Sequence, residues 1–168
     1  MFINPQHLID EEIITGVKWP EKQIQPNGID VSCDNMFKLR GTLFMFTKDI
    51  TLHRGGDKVE LSEDGFWHLQ PWGKYDFFSD MYLKVPEGMC GWLQTRSTLN
   101  RNGVTVTSGL YDSGYEGHIA GMIHNTSFET ILEPHMSIAQ FIMADAMSAK
   151  MYAGGYNHKK DELPEQLK

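Results

Sequence analysis

Apolar positions at the start of the chain recur at helical spacing and then give way to short strand-like runs. Leu8, Ile9 and Ile13 make one stripe in a segment that Asn4 can cap and Pro5 can start. Asp10, Glu11 and Glu12 sit in its first half, and Gly16 is placed to stop it. This pattern predicts one N-terminal packing helix. Beyond it the runs are rich in β-branched and aromatic residues, at 28–33, 42–46, 58–61, 66–69, 75–78, 81–85, 91–95, 104–107, 117–124 and 137–143. Turn formers separate many of them, among them Asp64-Gly65, Pro86-Glu87-Gly88 and Asn102-Gly103. Many closely spaced short strands predict an all-β sandwich, jelly roll or distorted barrel. A short helical turn is expected at 97–101. The tail from Ala153 is Gly-rich and then charged, and is expected to be mobile unless a ligand or neighbouring subunit orders it.

Composition narrows the class. With 168 residues, 40% of them hydrophobic, one domain with its own core is expected over 1–168. The net charge of −7 argues against non-specific binding to nucleic acid or an anionic membrane. No apolar run is long enough for a membrane span. The opening MFINPQHLIDEE lacks the basic start and apolar stretch of a secretory leader, so a cytoplasmic protein is expected. Cys33 and Cys90 are too few for a disulfide framework and read as small buried thiols.

Several site types are missing from the sequence. It has no GxxxxGK[ST] loop, no GxGxxG after a strand, no HExxH and no HxE…PCxxC signature. What remains are polar residues inside Gly-punctuated β segments. Asp30, within Gly28-Ile29-Asp30-Val31, reads on that fragment alone as a surface aspartate on an edge strand. Residues 95–103 bring Arg96, Arg101, Ser97 and Thr98 to the start of a helical turn, which suits an anion or equally a solvated capped turn. Residues 107–119 hold Gly109, Gly114 and Gly117, which imply a tight hairpin whose backbone approaches something closely. Asp112 lies within it between Tyr111 and Tyr115, where an aspartate serves as general base if it reaches an aligned water, or simply as a turn residue. Gln140 lies on the last strand.

In order and spacing these fragments resemble the superfamily of trimeric dUTPases and dCTP deaminases. Ile29-Asp30-Val31 is similar to its first motif and Arg96-Ser97-Thr98-Leu99 to its second. The run from Gly109 to Gly117 is similar to its third, and Ser137-Ile138-Ala139-Gln140 to its fourth. The resemblance implies a distorted β-barrel or jelly roll (a β-clip) with a short N-terminal helix, assembled as a homotrimer with active sites between subunits. It implies that Asp112 activates the water that attacks the α-phosphorus, and that Tyr115 packs on deoxyribose and excludes a 2′-hydroxyl. Residues 107–111, with Ser108, Gly109, Leu110 and Tyr111 among them, match the hairpin that reads the pyrimidine. Arg96, Ser97 and Arg101 match the phosphate site, and Asp30 and Gln140 lie near the phosphates and the water shell of Mg²⁺.

The two branches of the superfamily differ at one telling position. Deaminases carry a proton-shuttling glutamate ten residues after the hairpin aspartate, where this chain has Met122. The register is supported by Asn125, which matches an asparagine common to both branches. Arg101 and the tail Tyr152-Ala153-Gly154-Gly155-Tyr156-Asn157 resemble the deaminase branch, while the Arg- and Ser-containing last motif of dUTPases is absent. Tyr156 is the aromatic residue available to cover a base. The expected activity is conversion of dUTP, or a related pyrimidine deoxynucleoside triphosphate, to monophosphate and pyrophosphate with Mg²⁺. The alternatives are a dCTP deaminase with a different proton shuttle and a catalytically weak nucleotide-binding regulator. Uracil and cytosine are not distinguished by a reader made mostly of backbone.

Overall fold

The computed structural model describes residues 1–126 and 128–162. Position 127 and the last part of the charged tail, 163–168, lie outside the described residues. The chain opens with α1 (Pro5–Asp10), β1 (Ile14–Thr15), α2 (Pro20–Gln23), β2 (Ile24–Gln25), β3 (Gly28–Ser32) and β4 (Asn35–Leu39). It continues through β5 (Met45–Phe46), β6 (Thr51–Leu52), β7 (Gly56–Lys58), β8 (Trp67–Leu69), β9 (Lys74–Lys84) and β10 (Met89–Thr95). It ends with α3 (Ser97–Arg101), β11 (Val104–Thr107), β12 (Glu116–Asn125), β13 (Thr130–Leu132) and β14 (Ser137–Asp145).

The strands form a sheet in the order β11-β12-β9-β4-β7, with β1 also on β9, and a second sheet in the order β10-β14-β3-β2. The two remaining pairs are β13-β8 and β5-β6. The expected all-β class with a short N-terminal helix holds. Of the two expected forms, distorted barrel or jelly roll, no closed barrel is seen: among the described residues the sheets stay separate, and no ladder joins them. They instead share one hydrophobic core, to which Ile29, Val31 and Phe141 come from one side and Phe77, Leu83 and Ile123 from the other. Burying such side chains between two apolar faces contributes about 1.5–3 kcal/mol each before conformational entropy is counted. Gly91 lets β10 approach that core, because a Cβ there would collide with the Phe141 ring.

The N-terminal helix starts as expected: Asn4 Oδ1 accepts from Gln6 N at 3.0 Å and Pro5 takes the first position. It ends well before Gly16. Glu12 adopts a positive φ of 54°, and the β-branched Ile14 pairs with Leu83 as a strand. The runs expected at 75–78 and 81–85 are one strand, β9. Its Ser79-Asp80 interior looked like a break because a bulge lies there: the β12 register shifts between His118 and Ala120. The run expected at 58–61 is displaced, since pairing with β4 occupies Gly56–Lys58 instead. Strand β4 had no place in the expected series. Cys33 and Cys90 are both free, Cys33 buried and Cys90 half-buried. No helix among the described residues is long and apolar enough to cross a membrane.

Candidate active site

The hairpin between β11 and β12 is fixed by bonds from the chain around it. Tyr111 and Gly91 exchange both backbone hydrogen bonds, at 2.8 and 2.9 Å. The Tyr111 hydroxyl donates to Ala120 O at 2.5 Å, while Ser108 Oγ accepts from Leu93 N at 3.2 Å and donates to Gly109 O at 2.7 Å. Tyr115 packs edge-on against Tyr111, with ring centroids 5.0 Å apart, and donates to His118 O at 2.9 Å. Burial pushes both phenols up, so both stay neutral donors. Gly121 must be small, because a Cβ there would strike Thr107 O.

Behind this hairpin lies a cavity of about 530 Å³. Ser108, Gly109, Leu110, Tyr111 and Tyr115 line it from the hairpin side, and Tyr156 from the tail. Strands β9 and β12 supply Asp76, Phe78, Ala120, Gly121 and Met122. Tyr152 and His158 complete the lining from the tail. The tail reaches this place through hydrogen bonds: Tyr152 N donates to Ser113 O at 2.6 Å, Glu116 N to Asn157 Oδ1 at 3.0 Å, and His118 N to His158 Nε2 at 3.0 Å.

Asp112 is exposed on the hairpin and does not line this cavity. It lines an adjoining groove of about 510 Å³ with Ser113 and residues 148–154. Tyr152 borders both spaces.

A third group forms on the other sheet. Asp30 and Gln140 are register partners on β3 and β14, and Gln140 Nε2 donates to Asp30 Oδ1 at 3.1 Å. Arg96 Nη1 stands 3.3 Å from the second carboxylate oxygen. Asp30 is 3% exposed, which corrects the reading of a surface aspartate: β3 runs between β14 and β2 and is covered on both faces. Burial raises its carboxyl, opposed by the Gln140 hydrogen bond and the Arg96 charge. Ser97 opens α3 beside Arg96, and Arg101 lies in its last turn, both exposed. None of these five residues lines the cavity behind the hairpin.

The matched motifs thus gather at three places in one chain, with order and spacing intact. The dCTP deaminase-like family profile covers residues 4–146. The chain belongs to this family. Among its relatives is a protein of Methanothermobacter thermautotrophicus named a probable deoxyuridine 5′-triphosphate nucleotidohydrolase, 27% identical over 81% of this chain and 89% of that one. Another, from Bifidobacterium animalis subsp. lactis, is named a dUMP-forming dCTP deaminase and is 32% identical over 73% of this chain and 66% of that one. The fold is shared with 2′-deoxycytidine 5′-triphosphate deaminase from Agrobacterium tumefaciens, at 16% identity and a TM-score of 0.65 over 82% of this chain. The chain spans 46% of that structure's length. Membership supports a related nucleotide-hydrolysing or deaminating activity in general.

Asp76 and His158 are among the lining residues that motif reading did not single out, whereas Tyr152 lies in the tail segment already matched by resemblance. Asp76 carried a signal, being a lone carboxylate within the apolar run Tyr75-Asp76-Phe77-Phe78. His158 carried none, since only the folded tail brings it beside His118.

Proposed function

We propose that this chain is a pyrimidine deoxynucleoside triphosphate diphosphohydrolase, releasing monophosphate and pyrophosphate from dUTP or its cytosine counterpart. The carrying observation is the cavity behind the hairpin, sized for a nucleoside and walled by the segment that resembles a base reader, with Met122 among its lining residues. A thioether carries no proton, whereas the phosphate-directed Asp112 is retained on the rim side of the same hairpin. In this reading Asp112 takes the proton of the attacking water, Tyr115 fills the space a 2′-hydroxyl needs, and Tyr156 covers the base.

The cluster of Asp30, Arg96 and Gln140 faces the triphosphate, with Ser97 and Arg101 adding a hydroxyl and a second guanidinium. A homotrimer accounts for the separation of this cluster from the base cavity: one subunit supplies the phosphate side and its neighbour the base side. Asp30 retains lone pairs beyond those used by Gln140 and Arg96, and so fits the water shell of Mg²⁺. Bound with the triphosphate, Mg²⁺ offsets negative charge as water approaches.

A second reading, deamination of dCTP, draws support from the family to which the chain belongs. Incubating the protein with dUTP, dCTP or dTTP and Mg²⁺, followed by chromatography, separates the two. Monophosphate from dUTP or dCTP supports hydrolysis. Appearance of dUTP from dCTP overturns it in favour of deamination.

A further inference from the structure

Asp76 sits on β9 between Tyr75 and Phe77, which are 2% and 0% exposed and belong to the core. Strand alternation turns Asp76 to the opposite face, which it shares with Phe78. Across the ladders its register partners are Met122 on β12 and Phe37 on β4, with Thr107 of β11 next in the row beyond Met122. Asp76 lines the base cavity, and the other β9 and β12 side chains there are Phe78, Ala120 and Met122. Among these four it alone is a strong hydrogen-bonding group. No hydrogen bond or ion pair reaches its carboxyl among the described residues, and burial alone pushes it up to about 6. At pH 7.5 it is still mostly ionised and acts as an acceptor without a donor. Asp76 is half-buried, and leaving a carboxylate unpartnered there carries a cost that a ligand donor relieves.

Hairpin backbone offers both N–H and C=O groups and does not by itself choose between pyrimidines. A carboxylate does choose. Cytosine presents its N4 amine as a donor where uracil presents the O4 acceptor. We propose that Asp76 selects the base by accepting a hydrogen bond from the exocyclic amine, so that the cavity takes cytosine nucleotides in preference to uracil nucleotides. This selection rests on the reading of the cavity as a pyrimidine nucleotide site. Opposite uracil, two acceptors would face each other with no hydrogen between them, beside the apolar side chains of Phe78 and Met122.

The test is calorimetric titration of the full chain with the α,β-imido analogues of dCTP and dUTP, with Mg²⁺ at pH 7.5. The expected wild-type result is binding of the cytosine analogue about 10- to 100-fold more tightly. Asp76→Asn keeps the shape and adds an amide donor that suits O4, so the preference should collapse or invert. Asp76→Ala should lose the preference without inverting it. Equal affinity for both analogues in the wild type, or an unchanged ratio in Asp76→Asn, overturns base selection while leaving the hydrolase reading intact. Binding of neither analogue overturns both.

Discussion

Gln140 lies directly across from Asp30 in the β14–β3 ladder and donates to its carboxylate at 3.1 Å. Arg96, at the entry to α3, holds the other oxygen at 3.3 Å and also donates to Ser137 O. Three motifs far apart in sequence are therefore locked together. Burial raises the Asp30 carboxyl, and the Gln140 hydrogen bond and the Arg96 charge oppose that rise.

Replacing Arg96 by Ala should test both this lock and the proposed phosphate contact. It removes the cation beside a buried carboxylate, and since Arg96 is itself 38% exposed the expected stability cost is modest, about 1–2 kcal/mol in chemical denaturation. Affinity for a deoxynucleoside triphosphate should fall about tenfold or more, with that for the monophosphate changing much less. Equal losses for both would place Arg96 away from the β- and γ-phosphates.

Asp112→Asn isolates the chemical step. The side chain is exposed and outside the hydrophobic core, so unfolding free energy should stay within about 0.5 kcal/mol of wild type. Pyrophosphate release should drop about 100-fold or more, with nucleotide affinity nearly unchanged. Full turnover by this variant would remove Asp112 as the base.

Much of this arrangement was legible from residue order. Val104–Thr107 falls where its β-branched run places it, because local pattern and burial agree there, and Ser97–Arg101 forms the expected helical turn with Arg96 at its N-cap and no side-chain capping bond. The hairpin residues 108–111 and Tyr115 line one cavity. Three things were not legible. Strand β4, Asn-Met-Phe-Lys-Leu, shows no clean alternation, and long-range pairing with β7 and β9 makes it a strand. The bulge inside β9 has the polar look of a turn, but there the Ser79 hydroxyl donates to Asp34 and the Asp80 carboxylate pairs with Lys18. Asp76 belongs to no motif, and its place in the cavity follows only from its register with Met122.

Tyr115 is the residue whose packing role and proposed specificity role can be separated. Its ring sits between Tyr111 and Tyr152, with centroids 5.0 and 6.0 Å away, and its hydroxyl donates to His118 O. Tyr115→Phe keeps the ring and loses about 1 kcal/mol of hydrogen bonding, so preference for deoxyribo- over ribonucleotides should persist. Tyr115→Leu opens one side of the sugar space and should reduce that preference about tenfold or more in a dUTP-against-UTP comparison of kcat/KM. Retained discrimination in Tyr115→Leu would assign the sugar gate to another residue.

Asp34 ties the two sheets together through charge. Its side chain is 1% exposed and accepts from Lys18 Nζ at 3.0 Å, Ser32 Oγ at 2.7 Å, Ser79 Oγ at 3.1 Å and Asp80 N at 2.8 Å, with His135 Nδ1 2.6 Å away. Burial alone would raise its carboxyl, but the bonds from His135, the Asp80 N–H, Ser32 and Lys18 outweigh burial and hold it low. A carboxyl lower in the folded than in the unfolded chain stabilises the fold fully above the unfolded value, roughly 3.9. That stabilisation is lost as pH falls from there through the folded value, when protonation breaks the acceptor set. Asp34→Asn cannot carry the charge and strands several of these donors. At pH 7 it should lower unfolding free energy by about 2–4 kcal/mol. Below about pH 4 its deficit against wild type should shrink, because the unfolded wild-type carboxyl takes up a proton there while the native one does so only at lower pH. Urea denaturation of both proteins between pH 3 and pH 8 measures this, and a deficit constant across that range would mean the Asp34 charge is not what joins β3, β9 and the Lys18 segment.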